Sequence, residues 1–64
     1  MAMRKYYLCY IYEIMEDHSH KFIRTVRFEK NEKKEAIEIM RFVLSLGNYY
    51  AMVWPRVEEL KGDV

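Results

Sequence analysis

From Arg4 to Met15 the chain runs without glycine, proline or serine and is rich in tyrosine and isoleucine, and no other feature constrains the fold as much. Aromatic and β-branched residues favour extended backbone, where their side chains pack on a pleated surface. Alternation sorts this run into two sets. Tyr6, Leu8, Tyr10, Tyr12 and Ile14 share one side, while Tyr7, Cys9 and Ile11 share the other between Lys5 and Glu13. A strand that is apolar on both sides belongs in the middle of a sheet. The segment 4–15 is therefore expected to be the central strand.

The polar segment from Glu16 to His20 interrupts the run, and Phe22 to Glu29 then alternates again, which predicts a hairpin with a second strand over 21–29. No glycine is available in the turn. That disfavours two-residue primed turns and three-residue loops closing on a left-handed residue, so a four-residue loop from Glu16 to Ser19 is expected, with Met15 opposite His20. This register groups Phe22, Val26 and Phe28 with Tyr7, Cys9 and Ile11. It leaves Ile23, Thr25 and Arg27 with Tyr6, Leu8, Tyr10 and Tyr12, and a slip of one residue would exchange the first strand's two sets.

Asn31 is a suitable N-cap, Glu32 and Glu35 suit the positive end of a helix dipole, and no breaker follows until Gly47, which predicts a helix over 32–46. Lys34, Glu38, Arg41 and Ser45 form a narrow polar stripe. The remaining arc, from Ala36 through Ile37, Ile39, Met40, Phe42, Val43 and Leu44 to Leu46, spans roughly 220°, about twice what one sheet covers. Gly47 and Asn48 suit a left-handed cap. Tyr49 to Trp54 then reads as a third strand over 49–54, which Pro55 ends or places on an edge. The segment 56–62 is expected to form a short helix, with Pro55 at its start and Gly62 past its end. The sum is one α+β domain over 1–64, a two-layer ββαβ unit with a three-stranded antiparallel sheet of order 2-1-3 and one helix on one face.

Size and composition narrow the function. A domain of 64 residues buries only about 60% of its unfolded surface. Cys9 has no second cysteine to pair with, and no Cys/His set has zinc-finger spacing. Apolar residues are nevertheless 52% of the chain and aromatics 16%, more than so small a core absorbs, so a partner surface is expected. With 11 basic against 10 acidic residues the chain lacks the gross footprint of a nucleic-acid binder. No stretch has the length of a membrane span or the pattern of a signal peptide, and a single thiol suits a reducing compartment, so a cytoplasmic location is expected.

Each chemical candidate has a plainer reading. His18 and His20, near Asp17, are two imidazoles short of the three or four ligands a metal site needs, and they read as solvated turn residues. Cys9 sits mid-strand with no base beside it and reads as a small core residue. Ser19 beside His18 and Asp17 is a set of turn neighbours rather than a triad. No catalytic residue, metal, cofactor or small-molecule substrate is expected. The tyrosine face is the leading candidate, and Tyr6, Tyr10, Tyr12, Ile23, Phe42 and Trp54 are expected to form an interface with a second copy of the chain or with a host protein. The alternative uses the same tyrosines with Lys5, Lys21, Arg24 and Arg27 to stack bases and neutralise phosphates of a single strand. In outline, the order strand, strand, helix, strand at this length resembles small host-modulating proteins of phages and mobile elements. That resemblance implies a non-enzymatic protein binder and assigns no residue.

Overall fold

β1 (Ala2–Ile14) is the middle of a three-stranded antiparallel sheet of order β2-β1-β3, flanked by β2 (His20–Glu29) and β3 (Tyr49–Leu60). The structure, a computed structural model, describes residues 2–60. A single turn of 3₁₀ helix, Lys30–Glu32, leads into α1 (Lys33–Ser45), which lies across one face of the sheet. The α+β architecture, the strand order and the single packed helix agree with the sequence reading.

The hairpin is tighter than expected. Met15 N–H donates to Ser19 O at 2.8 Å and His18 N–H to Met15 O at 2.9 Å, which closes a three-residue loop. His18, at φ 69°, takes the left-handed position usually given to glycine, one that histidine enters more readily than most residues. Asp17 supports it by accepting from Ser19 N–H at 3.0 Å and Ser19 Oγ–H at 2.6 Å. Past the turn, Ile14 pairs with His20 and Tyr12 with Phe22; an irregularity then inserts Ile23, so that Ile11 pairs with Arg24 and Tyr6 with Glu29. The register of Tyr6 to Ile11 is therefore the one expected, while that of Tyr12 to Ile14 is displaced by one residue. Phe22 consequently shares Tyr12's side of the sheet instead of joining Val26 and Phe28.

Two further expectations are corrected. Asn31 does not cap the helix: it lies inside the 3₁₀ turn, where Glu29 N–H donates to Glu32 Oε1 at 2.8 Å, and α1 begins only at Lys33. The short helix over 56–62 does not form as far as Leu60, because β3 continues through Pro55 and pairs Arg56 with Tyr6, Glu58 with Arg4 and Leu60 with Ala2. An edge strand tolerates a proline, since only one side of its backbone is paired. The end of that expected helix, residues 61 and 62, lies outside the described residues. Gly47 behaves as expected, at φ 85° past the end of α1, with its N–H bonded to Leu44 O at 3.3 Å.

The helix meets the odd-numbered side of β1. Cys9, Val43 and Ala51 form the core, ringed by Ile11, Val26, Phe28, Met40, Tyr49 and Val53. Small residues at the centre let helix and sheet approach closely. At 13 residues α1 is about 20 Å long, against about 44 Å for β1, so it covers only the middle of the sheet. The radius of gyration, 14.5 Å, exceeds the roughly 11 Å of a compact domain of this length.

Candidate functional site

Cross-strand partners in an antiparallel sheet point to the same side, so the ladder dictates what the uncovered face presents. Rows of three run across β2, β1 and β3: Phe22, Tyr12 and Tyr50; Thr25, Tyr10 and Met52; Arg27, Leu8 and Trp54; Glu29, Tyr6 and Arg56. The first three rows are dominated by large apolar or aromatic side chains. Trp54 is 56% exposed and Phe22 54%, and among the described residues no element covers them.

The hairpin end of this face is an aromatic cluster. Tyr12 stands edge-on to Phe22 at 5.7 Å and tilted to Tyr50 at 6.2 Å, and His20 stacks on Tyr50 at 5.4 Å. Such contacts fix ring orientation and leave the outer edges free. The opposite end is a charge clamp. The Arg27 guanidinium lies 3.9 Å from the centre of the Tyr6 ring and reaches across β1 to Glu58 Oε1 at 2.6 Å, while its Nε donates to Glu29 Oε2 at 2.9 Å. Hydrogen bonding to Arg27 holds the Glu58 carboxyl below the usual carboxylate range, and the two carboxylates push the Arg27 guanidinium further up. This clamp ties β2 to β3 beyond Pro55.

The residues singled out from the sequence do not all meet. Tyr6, Tyr10, Tyr12 and Trp54 share the open face. Ile23 is the inserted residue on the edge strand. Phe42, 63% exposed, stands on α1 with Ile39 and Leu46 also exposed, so the over-wide apolar arc does leave side chains uncovered by the sheet. The basic set is split: Lys21 pairs with Glu13, Arg24 with Ile11 and Lys5 with Val57, all on the helix side, so that of this set only Arg27 shares the open face, where it is already engaged by two carboxylates and where Arg4 and Arg56 also stand. Sequence reasoning left Phe22, Tyr50 and His20 out of the expected interface. Tyr50 was legible from its alternation with Met52 and Trp54, whereas Phe22 and His20 were hidden by the shifted register.

Cys9 is fully buried, and that burial pushes its thiol up, away from the reactive thiolate. Among the described residues no group of three or more His, Cys, Asp or Glu side chains is placed to hold a metal ion, and no helix is long and apolar enough to cross a membrane. Comparison with protein-family models, curated proteins and solved structures finds no match to this chain. The site itself defines a class: a two-layer α+β domain with an open aromatic sheet face.

Proposed function

We propose that this protein is a non-enzymatic binding module whose open sheet face docks on the same face of a second copy. The observation that carries this reading is the uncovered row of Leu8, Tyr10, Tyr12, Tyr50, Met52 and Trp54 beside a core whose central cluster is only Cys9, Val43 and Ala51. A face about 44 Å long and three strands, or about 14 Å, wide presents roughly 600 Å² before side-chain relief, near the ~800 Å² per partner of an ordinary stable interface. Flatness suits a second sheet, packed face to face at about 10 Å. Charge is gathered at one end of the face, where Arg4, Arg27 and Arg56 stand with Glu29 and Glu58, and the rows of Tyr10 and Tyr12 beyond it carry no acidic or basic partner in the ladder. The proposal includes a reducing, cytoplasmic setting, which the unpaired Cys9 supports.

Trp54, the chain's one tryptophan, stands within the face and reports on it. Light scattering behind size exclusion is expected to give twice the chain mass, and dilution is expected to shift Trp54 emission to the red as the face becomes solvated. A monomer at all concentrations, with unchanged emission, overturns the reading. Salt-sensitive binding of single-stranded oligonucleotides by that same monomer would favour nucleic acid instead.

A further inference from the structure

On the opposite side of the sheet, between the first turns of α1 and the projecting ends of β1 and β3, lies a groove of about 330 Å³ lined by Lys5, Tyr7, Lys33, Ile37, Met40, Val53 and Pro55. It is separate from the aromatic face, since Tyr7, Val53 and Pro55 belong to the helix side of the ladder. Its volume is at the low end of the range for small-molecule sites. The floor and walls are apolar, and the charge is confined to the rim. Lys5 Nζ stands 5.6 Å and Lys33 Nζ 5.9 Å from the centre of the same Tyr7 ring. Both ammonium groups therefore stand at the margin of one apolar groove and give it a positive rim. Among the described residues the ion pairs are those of Arg27, so neither lysine is neutralised by a carboxylate.

From this arrangement we infer that the groove binds a medium-chain aliphatic carboxylate, with its head group between Lys5 and Lys33 and its hydrocarbon body on Tyr7, Ile37, Met40 and Val53. An anionic head group would complement the positive rim, and a hydrocarbon would cover the apolar walls. An extended acidic peptide fits less well. Its backbone N–H and C=O groups would face side chains that offer them no partner, and an unpaired buried peptide group is costly.

The test titrates the whole protein with decanoate, below its micelle concentration, and with decanol, following backbone amide shifts by NMR. The largest shifts are expected at Tyr7, Ile37, Met40 and Val53. Decanoate is expected to bind roughly twofold to thirtyfold more tightly than decanol at low salt, as two exposed ion pairs imply. In the Lys5→Gln/Lys33→Gln variant, whose changes are on exposed side chains, that ratio is expected to fall towards one while the spectrum stays folded. Equal affinity for decanoate and decanol in the natural chain overturns the inference. So do shifts confined to Tyr12, Met52 and Trp54, or displacement of decanoate by an acidic peptide. The oligomeric state is read separately by light scattering, so failure here leaves the sheet-face proposal standing, and the reverse also holds.

Discussion

The two faces of one sheet are built from different side chains. Under the helix the central positions are Cys9 and Ala51, met by Ala36 and Val43 from α1; on the open side the same strands carry Leu8, Tyr10, Met52 and Trp54. The covered face is shaped for close approach, with small groups that let two backbones near each other. The open face is shaped for area. Dispersion and desolvation scale with the surface brought into contact, so the uncovered side holds the larger unused contribution to stability. The one tryptophan and four of the six tyrosines, Tyr6, Tyr10, Tyr12 and Tyr50, stand on that open side, and the proposed self-association rests on their area.

Substitution of two adjacent residues on opposite faces separates these roles. Ala51→Asp puts a carboxylate beside Cys9 and Val43 with no partner, a loss of several kcal/mol that exceeds what so small a core supplies, and no cooperative unfolding transition is expected by circular dichroism. Met52→Asp leaves that core untouched and is expected to retain the sheet spectrum at low temperature. It should weaken self-association by about 2–4 kcal/mol, the range of a central interface residue, and make the unfolding midpoint independent of protein concentration. Equal damage from the two changes would mean that both faces belong to the monomer's core. A Met52→Asp protein that keeps a concentration-dependent midpoint would mean that the open face does not dock.

A milder change sharpens the covered side alone. Val43→Ala removes two methyl groups from the core and is expected to lower stability by about 2 kcal/mol in denaturant titration, with the mass of the assembly unchanged. A loss of mass at equal stability would place α1 in the interface instead.

The contrast between faces was legible in the sequence because the period-two alternation of β1 survives intact from Tyr6 to Ile14, and α1 declares itself by period and by Gly47. What was not legible is local and has physical causes. A left-handed His18 depends on Asp17 and Ser19 bonding to each other, and a bulge at Ile23 leaves no compositional mark. The two departures compensate: the shorter turn moves the register by one and the bulge moves it back, so the pairing from Tyr6 to Ile11 came out as expected for a different reason. Of the two readings of Pro55 the edge placement holds, since β3 is an edge strand that continues past the proline, and its extent was hidden because it involves Arg27 reaching Glu58, a contact between distant parts of the chain. Of the open face, Tyr6, Tyr10, Tyr12 and Trp54 were recovered and Tyr50 was left out. Phe22 and His20 were missed because they lie between the turn and the bulge, where the register differs.

The turn offers a smaller test. For a side chain other than glycine the left-handed region costs roughly 1–2 kcal/mol, and glycine returns part of the gain as unfolded-state entropy, so His18→Gly is expected to stabilise the protein by about 0.5 kcal/mol. Thermal unfolding measures this, and a loss of stability would mean that the His18 ring contributes more to the turn than its backbone strain removes.

The smallest expected effect concerns the clamp at the far end of the open face. Because Arg27 holds the Glu58 carboxyl below its ordinary value, the folded state binds a proton there less readily than the unfolded state does. The stabilisation is therefore fully present above the unfolded value and is lost as pH falls through the folded one. Asp17, held low by Ser19, acts in the same direction at the hairpin end. Thermal midpoints taken from pH 7 down to pH 3 should fall less steeply in Glu58→Gln than in the natural chain, and the difference should shrink with added salt, since the pair is open to solvent. Parallel curves would show that the clamp orients Tyr6 without contributing to stability, and would confine the energetic contrast between the two faces to their apolar side chains.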